Sequence, residues 1–253
     1  MNYTIERQIL DLNHFAVNSL LFIPKPEIKI NCYAIFTHGY TGHKGDILTW
    51  GQRLADCGIT VLLFDLPGHF LGSFNDVPSF TDFKVNAYKL FDKAITYFNI
   101  QQNDKLIIGG HSLGAFLALQ SLNYNCFNQY QTICICVGLG IQQQAKSLSE
   151  HNSIFHNMLK ERSNLISKNL APQKMFTWFY DRINSLSIYN QKIFLISGTN
   201  DFLIQENHIS NLQNTLSINN QVTVIRPDNL PHHCPDRAVI HIRKLLKTIG
   251  YIL

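Results

Sequence analysis

The chain has 253 residues, 45% of them hydrophobic and 15% charged, with a formal net charge of +4. That length buries one substantial core, and that composition excludes a disordered chain. The surplus of cations is small and scattered, with its one cluster at Arg243, Lys244 and Lys247, so nucleic acid is not an expected partner. No apolar run reaches the length of a membrane span, so integral membrane association is not expected either.

Met1 to Arg7 shows no basic stretch followed by an apolar one, so no leader is expected there. The six cysteines mostly sit inside apolar runs, and Cys134 and Cys136 lie two apart on a strand-like segment. That spacing is poor for a disulfide or a metal and points to reduced core thiols in a cytoplasmic protein.

In chain order, residues 3–12 and 14–23 alternate apolar and polar around Asn13-His14, the pattern of an antiparallel hairpin, which Pro24-Lys25-Pro26 closes. Cys32 to Thr37 is an unbroken apolar run, a central strand, ending in His38-Gly39-Tyr40-Thr41-Gly42. A helix from Asp46 to Cys57 is stopped by Gly58, and Thr60 to Phe64 is the next buried strand, ending in Asp65-Leu66-Pro67-Gly68-His69. Helical spacing runs from Thr81, a candidate N-cap, to Asn99.

Lys105 to Ile108 then reads as a buried strand and Ala115 to Leu122 as a helix, with Gly110-x-Ser112-x-Gly114 between them. A serine on so tight a strand-to-helix turn needs glycine two residues to either side, because the flanking backbones come too close for a Cβ. Such a turn lifts the serine oxygen above the sheet, where the next helix aims its free N–H groups.

Thr132 to Val137 is another strand, and residues 141–190 are rich in Gln, Asn, Ser and Lys, with one aromatic burst over 175–180. No strand is needed there, so an inserted helical cap is expected between a core of residues 1–140 and 191–253. Strands at Lys192 to Ser197 and Gln221 to Ile225, with helices over about 205–216 and 236–249, complete the chain. Strands that are continuous apolar runs, alternating with helices, imply a parallel sheet covered on both faces. Sites in such sheets form at the carboxyl ends of the strands. Those ends here carry His38-Gly39-Tyr40, Asp65-Leu66-Pro67-Gly68-His69, Ser112-Leu113, Gly198-Thr199-Asn200-Asp201 and Pro231-His232-His233.

With these five segments in this order, the chain resembles the α/β-hydrolase-fold serine hydrolases over nearly its whole length. The resemblance implies an α/β-hydrolase fold with a mostly parallel central sheet, helices on both faces and a cap. It implies Ser112 as nucleophile, Asp201 as the acid, His232 as the base, and the backbone N–H groups of Tyr40 and Leu113 as the oxyanion hole. It implies a small-molecule ester or thioester substrate and neither cofactor nor metal. Asp65 is expected as a structural turn residue, with His38 and His69 orienting loops and His111 packed below the elbow.

Duller roles stand beside these. Asp201 is also placed to cap the helix that follows it. Pro231-His232-His233 departs from the Gly-His usual in the family, so His233 stays a candidate base beside His232, and a zinc site from His232, His233 and Cys234 is disfavoured because adjacent side chains rarely converge on one ion. Phe70 and Leu71, where relatives usually carry glycine and a polar residue, and Trp178 in the aromatic burst are expected to line an apolar substrate pocket. A serine rather than an aspartate at position 112 excludes the dehalogenase and epoxide-hydrolase branches. Two other readings remain: a C–C bond hydrolase or lyase using the triad as a base, with Arg182 or Lys174 holding a carboxylate, and a non-catalytic binding protein on the same scaffold.

Overall fold

The computed structural model describes residues 1–12, 15–73, 75–141 and 153–253. The hairpin forms as β1 (Tyr3–Leu12) and β2 (Phe15–Pro24), paired antiparallel in register from Tyr3↔Pro24 to Leu12↔Phe15; its expected turn at Asn13-His14 lies outside the described residues. β3 (Cys32–Thr37), β4 (Thr60–Phe64), β5 (Lys105–His111), β6 (Gln131–Val137), β7 (Lys192–Ile196) and β8 (Gln221–Ile225) follow. Together they make an eight-stranded sheet in the order β1-β2-β4-β3-β5-β6-β7-β8, antiparallel at β1/β2 and β2/β4 and parallel elsewhere.

The registers align the strand ends. Thr37 pairs with Phe64 and Gly110, His111 with Val137, Val137 with Ile196 and Ile196 with Ile225. Every loop that leaves a parallel strand therefore departs from one edge of the sheet. The sequence segments that carry chemistry meet there and nowhere else.

Alternation along the strands divides the core in two. Leu106, Ile108, Cys134 and Cys136 face one side, and Ile107, Ile133 and Ile135 the other. The first face is covered by α2 (Phe80–Asn86), α3 (Leu90–Ile95), α4 (Leu113–Ser121) and, further along the chain, α7 (Glu206–Ser217). The second is covered by α1 (Leu48–Ala55) and α8 (Ala238–Thr248), where Trp50 stands edge-on to Phe36 at 5.3 Å. The Trp50 indole N–H donates to the Pro235 carbonyl at 2.8 Å and so ties α1 to the loop before α8.

Two helices differ from expectation. The one expected over 46–57 starts as a 3-10 turn, Lys44–Ile47, and the stretch expected as one helix over 81–99 is α2, a 3-10 turn at Ala87–Lys89, and α3. Its cap is Ser79 rather than Thr81: the Ser79 hydroxyl accepts the Asp82 N–H at 3.1 Å, two residues earlier than the apolar spacing implied.

Between β6 and β7, residues 142–152 of the expected cap lie outside the described residues. The rest forms α5 (Ser153–Glu161), two 3-10 turns and α6 (Pro172–Ile183). This segment is fastened to the body beside β4. Ile166 bridges to His69, Phe70 N–H donates to the Leu165 carbonyl at 2.8 Å, and Ser167 N–H donates to that of Gly68 at 2.8 Å. Beneath it lies α4, all nine of whose residues are buried. That burial is why α4 is apolar all round rather than on one stripe. Phe116 of α4 meets Trp178 and Phe179 at 5.1 and 4.9 Å.

Candidate active site

Ser112 sits between β5 and α4 with φ 51° and ψ −112°, a left-handed conformation rare for a residue with a Cβ. Such strain costs about 1–3 kcal/mol and persists only where its surroundings over-determine it. Here they do. A Cβ on Gly110 would lie 2.5 Å from the Thr37 carbonyl oxygen, and one on Gly114 2.5 and 2.6 Å from those of Thr37 and His38. Both glycines of the motif are required by the close passage of the β3 end against the elbow.

The same closeness brings the turn after β3 to the serine: a Cβ on Gly39 would come within 3.3 Å of the Ser112 Cβ. Tyr40 follows Gly39, and Leu113 opens α4, where the first N–H groups have no helical partner. Tyr40, Leu113 and Ser112 line one cavity. The Tyr40 hydroxyl donates to the Leu170 carbonyl at 2.6 Å, and burial pushes its phenol pKa up.

Asp201 performs two tasks with two oxygens. Oδ1 accepts the N–H groups of Leu203 and Ile204, both at 2.9 Å, and so closes a turn; it does not cap the following helix, which begins at Glu206 with Gln205 as its N-cap. Oδ2 accepts His232 Nδ1–H at 3.0 Å and the Ser197 hydroxyl at 3.3 Å. The structure thus brings His232 to the carboxylate, whereas His233 is exposed and lies beside Phe202, ring centroids 6.4 Å apart. The His232 ring leans on that of His111 at 4.7 Å, and Gly138, at φ +63°, leaves room for both: a Cβ there would stand 3.1 Å from each.

Behind this layer, His38 Nε2 accepts the Leu66 N–H at 2.9 Å, so its proton is on Nδ1, which donates to the Gly39 carbonyl at 2.8 Å. His69 Nδ1–H donates to the Pro67 carbonyl at 3.0 Å. Asp65, fully buried, receives the Lys44 backbone N–H at 2.7 Å and pairs with the Lys44 ammonium. These residues hold the loops around the cavity rather than line it.

Burial pushes the His38 and His69 imidazoles down to about 3, and that of His111 well below its usual value, so all three are neutral in the folded protein at physiological pH. Above the unfolded value near 6.5 both states are neutral and no penalty arises. Below it the unfolded chain takes up protons that the folded chain refuses. Stability is then expected to fall as pH drops, by up to about 1.4 kcal/mol per pH unit for each buried imidazole. Urea unfolding from about pH 7 to about pH 5 reads this slope, and His69→Gln is expected to remove one imidazole's share of it.

The cavity over Ser112 has a volume of about 180 Å³. Its apolar wall is Met158, Leu159, Met175, Phe176 and Phe179, and Arg162 contributes at the α5 side. Three expected pocket residues are not in that wall. Phe70 is held by backbone pairing to Leu165, and Leu71 is 49% exposed. Trp178 packs on Phe80, Phe83 and Phe116 and faces a separate surface groove. Lys174 and Arg182 line that groove too, so neither reaches the cavity. On α6, residues 175, 176, 179 and 180 share the face toward Ser112, while 174, 178 and 182 share the opposite one. That helical spacing was the signal available in the sequence.

Comparison with known proteins agrees with this architecture. No curated protein sequence matches the chain. Among solved structures, the thioesterase domain from the curacin biosynthetic pathway is 14% identical over 96% of this chain and 99% of its own, with a TM-score of 0.64. An α/β serine hydrolase without a lid from Xanthomonas campestris is 16% identical over 98% and 95%, at 0.62. An epoxide hydrolase from Vigna radiata is 10% identical over 96% and 98%, at 0.67. At these identities the likeness is one of fold, and the fold hosts more than one chemistry. The model of one family, described as serine aminopeptidase, S33, matches residues 31–199, more than half of the chain. The chain therefore belongs to this serine aminopeptidase S33 family and is a hydrolase of the α/β-hydrolase fold.

Proposed function

We propose that the protein is a serine hydrolase that cleaves a carboxylic ester or thioester through an acyl-enzyme on Ser112, beneath a cap formed by residues 141–190. The observation that carries this reading is the His232–Asp201 hydrogen bond at the same cavity as a serine held at φ 51° on the elbow. In the proposed cycle His232 Nε2 takes the Ser112 proton as the oxygen attacks the carbonyl, and returns it to the leaving group. Asp201 holds the tautomer and stabilises the imidazolium. The N–H groups of Leu113 and Tyr40 receive the oxyanion, each contributing roughly 10²–10³ in rate. Water then enters by the same route and releases the acid.

An ester fits the cavity better than a peptide with a free amino terminus. A terminal ammonium needs a free carboxylate, and Asp46, the carboxylate among the described lining residues, already accepts the His43 N–H at 3.0 Å with one oxygen and meets the His43 ring at 3.4 Å with the other. The apolar wall suits a short acyl group, since an apolar cavity of about 150 Å³ accepts a molecule the size of benzene. Hydrolysis of p-nitrophenyl esters from acetate to palmitate tests this. Turnover is expected to peak near butyrate or hexanoate and to fall toward palmitate; no turnover at any length by folded protein would overturn the ester reading.

A further inference from the structure

We infer that the cavity selects substrates carrying an anionic group, a carboxylate or phosphate, a short apolar stretch from the scissile carbonyl, and that Arg162 is the residue that reads it. The inference rests on the ester-hydrolase reading and deepens it to a substrate class.

The charge inventory of the cavity leads to this. Among its described lining residues the formally charged side chains are Asp46 and Arg162. Asp46 accepts the His43 backbone N–H at 3.0 Å with one oxygen and lies 3.4 Å from the His43 ring with the other, so it faces its own neighbour. His111 is kept neutral by burial, and the Asp201 carboxylate behind the cavity wall is committed to His232. Arg162 forms no ion pair with any described carboxylate: the pairs present are those of Asp46, Asp65, Asp201 and Glu206 with other residues. Among the described lining residues Arg162 is thus the cation, and no described carboxylate pairs with it.

The placement of Arg162 is built into the fold. Met158 and Arg162 are four residues apart, joined by the Arg162 N–H to Met158 carbonyl bond at 3.1 Å, so they share one face of α5 and its last turn. Arg162, an exposed residue that lines the same cavity, therefore follows one turn after Met158, and an occupant that runs along the wall of Met158 and Leu159 arrives at a cationic residue. Three residues on, the chain is pinned by the Leu165 and Ile166 pairing to the loop after β4, and the Tyr40 to Leu170 hydrogen bond fastens the same segment to the turn beside Ser112. Guanidinium recognises a carboxylate or phosphate through two parallel hydrogen bonds, a geometry that a neutral chain end cannot supply.

The test compares matched ester pairs with the parent protein and Arg162→Gln. Mono-p-nitrophenyl glutarate against p-nitrophenyl pentanoate places the anion on the acyl side, and 4-carboxyphenyl butyrate against phenyl butyrate places it on the leaving group. The parent protein is expected to favour the anionic member of one pair, and Arg162→Gln to lower kcat/KM for that member by about tenfold relative to its neutral partner. Arg162→Lys should restore part of the loss. Good turnover of neutral esters with no anionic preference in either pair, or a preference that survives Arg162→Gln, would overturn the inference and leave the ester reading intact. If no ester turns over, the ester reading fails by itself, and the cation is read without chemistry. Ser112→Ala protein should then be stabilised more by monomethyl glutarate than by dimethyl glutarate, a difference lost when Arg162→Gln is added; equal stabilisation by the two would overturn the inference.

Discussion

Ser112→Ala is expected to lower turnover of the best p-nitrophenyl ester by about a millionfold, the loss typical when the nucleophile of a serine triad is removed. Among the described lining residues neither His111 nor a cysteine can take its place. His111 is a neutral, buried ring, and the described cysteines are in the core or outside the cavity lining. The fold should not change, because alanine keeps both the small Cβ and the strained backbone. The companion variant Ser112→Gly separates the two roles of the residue. Glycine adopts φ 51° without penalty, so Ser112→Gly is expected to be as inactive as Ser112→Ala but more stable, by about 1–3 kcal/mol. Kinetics and urea unfolding of the two variants check this. A Ser112→Ala protein that retains more than a small fraction of parental turnover would refute the assignment.

Asp201→Asn is expected to cost about 10⁴ in kcat with little change in stability. The division of labour between the two oxygens explains why. The amide oxygen of asparagine can still accept the Leu203 and Ile204 N–H groups, so the turn survives. Its NH2 then faces His232 Nδ1 where Oδ2 accepted the N–H hydrogen bond. Two donors cannot share that bond, so the imidazole is driven to the tautomer protonated on Nε2, the nitrogen that must accept the Ser112 proton. Activity is lost through a proton in the wrong place rather than through a broken loop. Steady-state kinetics beside a thermal melt distinguishes the cases: a large fall in Tm would make Asp201 chiefly a turn residue, and a loss under tenfold would remove it from the chemistry.

The parallel core was legible because its strands are continuous apolar runs, as Cys32–Thr37 and Thr60–Phe64 show, and burial on both faces leaves no other reading. The elbow was legible because its glycines answer a backbone collision that sequence spacing alone implies. Helix ends were less so. Ser79 caps α2 although the apolar spacing starts later, since a cap is chosen by a single hydroxyl and not by periodicity. For Asp201 the sequence offers the two roles as alternatives, and only the structure shows both held at once, one oxygen on the turn and the other on the imidazole. Size and apolarity do not place a residue in the pocket wall: Phe70 is paired through its backbone to Leu165, Leu71 is exposed, and for Trp178 the face of α6 decides what it touches. Trp178 belongs with Lys174 and Arg182, on the side away from Ser112.

The central claim is that Ser112 is an activated nucleophile, and covalent labelling tests it most directly. Folded protein is treated with a fluorophosphonate, and intact mass and peptide mapping locate the adduct. A single adduct on Ser112, absent from Ser112→Ala and strongly slowed in Asp201→Asn, is the predicted result. No adduct on folded protein, or an adduct on another residue with Ser112 unmodified, would contradict it.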